Sequence, residues 1–315
     1  MTIPLLVHVG YHKTGTTWLQ HVVFPREELG FAVPVDSRTV RNGVVLPHPL
    51  SFDVAACQAE MCPPIEQARQ VGRVPVVSCE ALSGEFLSGG YNCAENAQRL
   101  AQIFPNAKIL IVIREQRSMI RSAYSQYLKS AGTLSARDWL TQNRSAVSQN
   151  RGLFSAEFYQ YDRLITIYQT LFGRANVLVL PYEQLKTEPL TFVASIMQFC
   201  DLNPSQGKLQ RVGTTRAYNR SLSPVSLAVR RRVNVLVRWQ NRLLVGRKAS
   251  KPLTNRRIRL LLERLDSILP NGWVERGRDR LDREIAASVP ISFRESNRRT
   301  AELTGLNLAE WGYDL

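Results

Sequence analysis

The 315-residue sequence predicts an α/β fold, a central parallel sheet flanked by helices, with a helical C-terminal portion. Three observations carry that expectation. Short continuous apolar runs alternate with amphipathic stretches, as strands buried on both faces alternate with covering helices. The first run ends at a glycine and leads directly into a helix. From residue 224 onward the chain reads as helix, broken only near Gly246–Pro252, Pro270–Gly272 and Pro290.

In chain order, Leu5–Val9 is the first strand and Thr16 to Val23 the first helix. A helix at about 52–70 precedes the strand Val74–Ser78, and one at about 93–104 precedes the strand Lys108–Ile113. Helices at about 117–130 and 156–172 follow, then a strand Val177–Leu180 bounded by Gly173 and Pro181, then a helix at 190–200. Neither an internal repeat nor a low-complexity linker divides the chain.

Composition narrows the function classes. The chain is 44% hydrophobic and 21% charged, which excludes a disordered, collagenous or disulfide-framework protein. No apolar run approaches the roughly 18–20 residues of a membrane span, and the N-terminus lacks the basic segment of a signal peptide. Five cysteines without paired spacing, and without a nearby histidine, predict reduced thiols rather than a metal set. These features predict a cytoplasmic protein. Lys and Arg number 41 against 26 Asp and Glu, a net charge of +15. Residues 211–300 hold 22 of those bases against 7 acids, so the excess lies in the C-terminal third and is mostly arginine. Arginine's planar fork suits phosphate, sulfate and carboxylate.

The chemistry begins in Gly10-Tyr-His-Lys-Thr-Gly-Thr-Thr-Trp18, between the first strand and the first helix. Free N–H groups at a helix start, two glycines, threonine hydroxyls and one lysine together favour an anion. The loop departs from the GxxxxGK[ST] pattern of nucleoside-triphosphate binders, because Lys13 precedes the second glycine and Thr16 follows it. A kinase would also need an acidic residue after an apolar strand to hold Mg²⁺, whereas the strand at 109–113 ends in Arg114. Arg114 lies at a strand's C-terminal end, where open α/β sheets bind ligands. In the helix that follows, Ile120, Ala123, Tyr124 and Tyr127 form an inward stripe. Ser118, Ser122 and Ser125 share another face, which aligns Ser122 with the crevice of Arg114.

The loop together with Arg114 and Ser122, in this order and separation, resembles the two nucleotide motifs of sulfotransferases that use 3′-phosphoadenosine 5′-phosphosulfate (PAPS). The resemblance is to the bacterial-type, P-loop-like sulfotransferase domain. It implies a P-loop-NTPase-like sheet, and it implies that Lys13, Thr14, Gly15, Thr16 and Thr17 cradle the 5′-phosphosulfate. It further implies that Arg114 and Ser122 hold the 3′-phosphate and that Trp18 lies against adenine. Val-Leu-Pro-Tyr182 is similar to a later strand-end segment whose tyrosine approaches the adenine, and Arg220 sits in a segment that looks like a basic stretch reaching back to the nucleotide. The domain expected is single, 1–315, with a nucleotide-binding core over about 1–220 and a basic helical portion over about 221–315. Residues 30–72 and 224–290 match nothing in the family pattern.

Sulfuryl transfer to an acceptor hydroxyl needs charge relief on the leaving group, which Lys13 would supply without a metal, and a base. Glu80, just past the second predicted strand, lies on the same rim as Lys13 and Arg114 and is the first candidate base. His48, in Leu-Pro-His-Pro, is the second, although a histidine between prolines is more often a surface loop residue. His12 shapes the loop, and His21 packs or faces solvent. The rival enzyme is a P-loop-like small-molecule kinase; the rival without turnover is a nucleotide- or polyanion-binding protein. The arginine-rich segment 223–245 allows three roles: a helix packed on the core, a helix peripheral at an anionic membrane, or part of an acceptor groove. Val229, Val233, Leu236 and Leu243 would form its apolar stripe, with Arg231, Arg238 and Arg242 beside or opposite. No nucleic-acid-binding module is present. A hydroxyl on an acidic carbohydrate or glycolipid is the acceptor that best accounts for the charge.

Overall fold

The computed structural model describes residues 3–141, 154–210, 222–243 and 255–315. The apolar runs form β1 (Leu6–His8), β3 (Val74–Ser78), β4 (Lys108–Ile113) and β5 (Val177–Pro181), and Phe31–Val35 adds an edge strand, β2. All pairings are parallel, in the order β2-β3-β1-β4-β5. Leu6 stands opposite both Val76 and Lys108, so β1 is the central strand. Its outgoing loop therefore emerges between the ends of β3 and β4. The chain reaches β2 and β3 on one side of β1 and β4 and β5 on the other, which opens a crevice at the C-terminal rim.

β2 is the one strand not anticipated. Only its two ends, Phe31 and Val35, are buried, Pro34 interrupts it, and its register against β3 shifts between Ala32 and Val35. A proline without an N–H is tolerated there because β2 lies at the sheet edge. The central strands are as expected: Ile109 through Ile113 and Leu6 and Val7 are all fully buried, each worth about 1.5–3 kcal/mol of burial. The first helix makes one α turn, Thr16–Trp18, and then widens into a π turn, Leu19–Val23. Such π turns recur at functional sites.

The chain divides into two compact units. The first comprises Met1–Gln116, Glu157–Tyr218 and Phe293–Leu315; the second comprises Arg117–Ala156 and Asn219–Ser292. The division does not follow a boundary near 220. The last 23 residues belong with the sheet because polar side chains tie them there: Gln116 donates to Asn297 Oδ1 at 2.6 Å, Asn297 donates to the Asp314 carbonyl at 2.8 Å, and Ser296 bonds Asp162. Within this unit, Val54–Gln70 covers β2 and β3, while Tyr161–Phe172 packs on β4 and β5 and against Cys93–Ile103 and Arg294–Thr304.

The second unit is helical. Ile120, Ala123, Tyr124 and Tyr127 are buried as expected on Gln116–Lys129, and the two tyrosines pack on Trp139 of the Ala136–Leu140 helix at 5.7 and 5.6 Å. The Pro224–Leu243 helix behaves differently from its predicted apolar stripe. Val229 and Val233 are only half-buried and Leu236 is exposed, whereas Ser226, Arg230 and Asn234 are buried. The reason is hydrogen bonding. Asn234 donates to the carbonyls of Leu128 and Gly132 at 2.8 and 2.7 Å, and Arg230 reaches those of Leu128 and Lys129 at 3.4 and 3.3 Å. They satisfy carbonyls that the end of the Gln116–Lys129 helix leaves without an intrahelical partner. Ser226 in turn donates to Asp266 at 2.5 Å. Among the described residues no helix is long and apolar enough to cross a membrane.

Candidate functional site

The loop after β1 is held in a conformation that most residues avoid. Lys13 (φ 69°) and Gly15 (φ 86°) are both left-handed. Glycine accepts this without cost, whereas for lysine it costs roughly 1–2 kcal/mol. Surrounding bonds hold it there: the Thr14 hydroxyl donates to the Tyr11 carbonyl at 2.5 Å, and Arg114 donates to the Lys13 carbonyl at 2.9 Å. Gly15 caps the helix, its carbonyl accepting from Trp18 and Leu19 N–H at 2.9 and 3.1 Å. The first N–H groups of a helix have no intrahelical partner and favour negative charge. A Cβ on Gly15 would lie 2.5 Å from Leu185 and 3.4 Å from the Tyr182 ring, so glycine is also required by space.

From β4, Arg114 spans the rim. Its guanidinium lies 4.9 Å over the Tyr182 ring at the end of β5 while it holds the Lys13 carbonyl. Its own carbonyl accepts from the Tyr161 hydroxyl at 2.5 Å. Glu183 stands behind, accepting from the Glu115 N–H and the Tyr313 hydroxyl at 3.3 Å each, and burial raises its carboxyl above the ordinary value. The structure thus brings Lys13, Gly15, Arg114 and Tyr182 together. Tyr161, Glu183 and Tyr313, which support Arg114 and its neighbour, were not found from the sequence. Only Glu183, adjacent to Tyr182, carried any local signal.

On the β3 side, Glu80 opens a 3₁₀ turn (Glu80–Ser83) directly after the strand. Ser83 stitches that turn to the loop, donating to the carbonyls of Gly10 at 3.3 Å and Glu80 at 2.9 Å. Glu80 is half-buried and acts electrostatically on His12, whose ring packs on Phe86 at 4.5 Å. Shielding from water lowers His12 to about 4; Glu80 opposes the shift and Lys13 adds to it. His12 is therefore a neutral loop residue at neutral pH. Arg41, ion-paired with Glu85 at 3.8 Å, contributes to the same field.

The remaining expected residues are placed as follows. Thr16 is buried and Thr17 half-buried on the first helical turn. Trp18 is 6% exposed and belongs to the hydrophobic core, leaving little of its ring for a ligand, whereas Tyr182 is half-buried. His48 is exposed and its Nδ1 accepts from the Leu50 N–H at 3.2 Å, capping a surface turn. His21 faces solvent. Ser122 stands half-buried on the Gln116–Lys129 helix in the second unit, and Arg220 lies outside the described residues. The five cysteines are all free thiols, and no metal-holding cluster occurs among the described residues.

Comparison with known proteins gives one family: the sulfotransferase domain, whose model matches residues 5–222. Similar solved structures include a sulfotransferase from Alicyclobacillus acidocaldarius, 17% identical with a TM-score of 0.48, over 82% of this chain and 96% of that one. The sulfotransferase domain of the Synechococcus PCC 7002 olefin synthase is 15% identical with a TM-score of 0.40, over 85% and 96%. Mouse sulfotransferase SULT7A1, in a complex with PAP, is 12% identical with a TM-score of 0.37, over 95% and 89%. No curated protein matches the chain.

Proposed function

The chain belongs to the sulfotransferase-domain family, enzymes of sulfuryl transfer, and from that premise we propose that it moves the sulfuryl group of PAPS to a hydroxyl on a carbohydrate or glycolipid. The observation that carries the reading is the rim itself: a left-handed Lys13–Gly15 loop at a helix start, its Lys13 carbonyl held by Arg114 at 2.9 Å. A donor with a 5′-phosphosulfate and a 3′-phosphate has an anion for each half. Lys13, Gly15, Thr16, Thr17 and the helix N–H groups suit the first, with Thr14 shaping the loop through its bond to Tyr11. Arg114, joined on the family pattern by Ser122, suits the second. Tyr182, half-buried beside Arg114, is better exposed than Trp18 for contact with adenine. Arg220 is retained as a nucleotide contact on the family pattern alone.

In the reaction, the acceptor oxygen bonds to sulfur as the bond from sulfur to the bridging phosphate oxygen breaks. Lys13 neutralises charge on that leaving oxygen, and Glu80 receives the acceptor's proton. A sulfuryl group carries less charge than a phosphoryl group, so this reading needs no metal. Thermal unfolding with the product nucleotide, 3′-phosphoadenosine 5′-phosphate, tests the donor. At 100 times its Kd the protein gains about 2.7 kcal/mol of stability, while ATP with Mg²⁺ gives no comparable shift. A shift with ATP and Mg²⁺ alone transfers the reading to a kinase. Binding without turnover on a panel of glycans, phenols and amines transfers it to a non-catalytic nucleotide-binding protein.

The acceptor reading draws on the second unit. Leu260, Leu261 and Ile268 are 51%, 59% and 77% exposed on the Asn255–Ile268 helix, and Trp273 is 58% exposed just beyond it. Apolar side chains of this size on an arginine-rich helical segment fit the surface of an anionic membrane, where a lipid-linked acceptor would reside. The protein is expected to sediment with phosphatidylglycerol vesicles at low salt, to release at high salt and to ignore phosphatidylcholine vesicles. Failure to sediment at low salt removes the membrane from the proposal and leaves a soluble acceptor.

A further inference from the structure

The turn that leaves β4 is held from behind at three successive residues. The Arg114 carbonyl accepts from the Tyr161 hydroxyl at 2.5 Å, and the Glu115 N–H donates to Glu183 Oε1 at 3.3 Å. The Gln116 amide donates to the Tyr159 carbonyl at 3.4 Å and to Asn297 Oδ1 at 2.6 Å. The end of the chain completes the last two of these ties. Asn297 donates to the Asp314 carbonyl at 2.8 Å, and the Tyr313 hydroxyl donates to Glu183 Oε2 at 3.3 Å. Both residues lie beyond 222, where the family match ends.

That end is itself fixed. Leu308 is fully buried, Gly312 takes the left-handed conformation (φ 81°), and Tyr313, 4% exposed, donates its N–H to the Leu308 carbonyl at 3.2 Å. Glu183 is half-buried, and a carboxylate withdrawn from water needs donors. It receives one on each oxygen, from Glu115 and from Tyr313. Tyr182 and Glu183, consecutive at the start of the Tyr182–Thr187 helix, therefore engage Arg114 and Glu115, consecutive just past β4. What this bracing governs is a direction. An arginine meets phosphate through a planar fork, and its hydrogen bonds weaken steeply as they lose alignment. The Arg114 side chain leaves a backbone tied at 114, 115 and 116, with its guanidinium on the Tyr182 ring and the Lys13 carbonyl.

We infer that Tyr313 is a positioning residue: through Glu183 and the Glu115 N–H it sets the direction of the Arg114 guanidinium, and with it the preference for a nucleotide carrying a 3′-phosphate. The inference rests on the proposed reading of Arg114 as the 3′-phosphate contact. Calorimetric titration with two probes, 3′-phosphoadenosine 5′-phosphate and adenosine 5′-phosphate, tests it. The wild-type protein is expected to prefer the first by roughly 10–100-fold, the range of a charge-assisted hydrogen bond. Tyr313→Phe keeps the buried ring and loses only the hydroxyl. It is expected to weaken the 3′-phosphorylated nucleotide about three- to tenfold and to leave adenosine 5′-phosphate unchanged. In an Arg114→Gln background the same substitution changes neither affinity. Unchanged affinity for both nucleotides in Tyr313→Phe overturns the inference. So does an equal loss for both, the mark of a generally loosened site, and so does a loss that persists in the Arg114→Gln background. Glu183 gives an independent check. Glu183→Gln, whose amide oxygen can still accept from the Glu115 N–H, keeps the preference, whereas Glu183→Leu reduces it. A preference that rises in Glu183→Leu overturns the inference, because the carboxylate would then only compete with phosphate for Arg114. A wild-type protein that binds the two nucleotides equally, or neither, is a separate result: it removes the 3′-phosphate reading and the inference with it.

Discussion

Lys13→Met is expected to lower kcat by about 10²–10³-fold, the loss measured when one preorganised donor to a developing oxyanion is removed, or about 3–4 kcal/mol. The variant removes the ammonium group while two bonds to loop carbonyls remain. Arg114 grips the Lys13 carbonyl and the Thr14 hydroxyl holds the Tyr11 carbonyl, bonds that do not involve the side chain at 13. Methionine also pays no greater conformational cost than lysine at φ 69°. The affinity for 3′-phosphoadenosine 5′-phosphate should fall much less than kcat, because the helix N–H groups, Thr17 and Arg114 remain. Lys13→Arg is expected to recover only part of the rate, since a planar fork replaces a compact charge. Steady-state kinetics with calorimetry of the product nucleotide separate the two effects. A Lys13→Met enzyme with full kcat would mean that the leaving oxygen is stabilised elsewhere.

The loop was legible in the sequence because its signals are local: glycine at a strand end, hydroxyls at a helix start, one lysine. β4 was legible for the same reason, as the unbroken apolar run Ile109–Ile113. β2 was not, because an edge strand needs burial at only some positions and Pro34 argues against pairing that an edge tolerates. Long-range polar ties were equally silent. Gln116 and Asn297 pair across 181 residues, and His8 and Ser78 across 70. A histidine inside Leu-Leu-Val-His-Val reads only as a residue buried with its strand. The Pro224–Leu243 helix shows the converse, a local apolar pattern that does not mark the buried face. Its valines and leucines marked an apolar stripe with three open roles, yet Arg230 and Asn234 are the buried residues because the carbonyls of residues 128–132 need donors.

That finding also refines the meaning of the net charge. Arg230 is consumed in capping a helix end, and Arg294 pairs with Asp314 at 3.1 Å. A count of bases over 211–300 thus overstates the charge offered to a partner.

In the proposed reaction Glu80 is the base. Glu80→Gln is expected to lower kcat by about 10²–10⁴-fold, the usual contribution of a positioned general base. The change keeps shape and hydrogen-bonding capacity in a half-buried side chain, and the turn it occupies is held by Ser83 through backbone carbonyls rather than by the carboxylate. Thermal stability and affinity for 3′-phosphoadenosine 5′-phosphate should therefore stay near wild type. Two neighbours could claim the role instead. His12 is held neutral with a pKa of about 4, which makes it a weak base near pH 7. His48 is exposed, with its Nδ1 accepting from the Leu50 N–H, so His48→Ala should leave turnover unchanged. Near-wild-type kcat in Glu80→Gln would sink the assignment, and a large loss in His48→Ala would move it there. Loss in Glu80→Gln alone, with the nucleotide still bound, is the pattern expected of a carboxylate that touches the acceptor and leaves the donor's contacts intact.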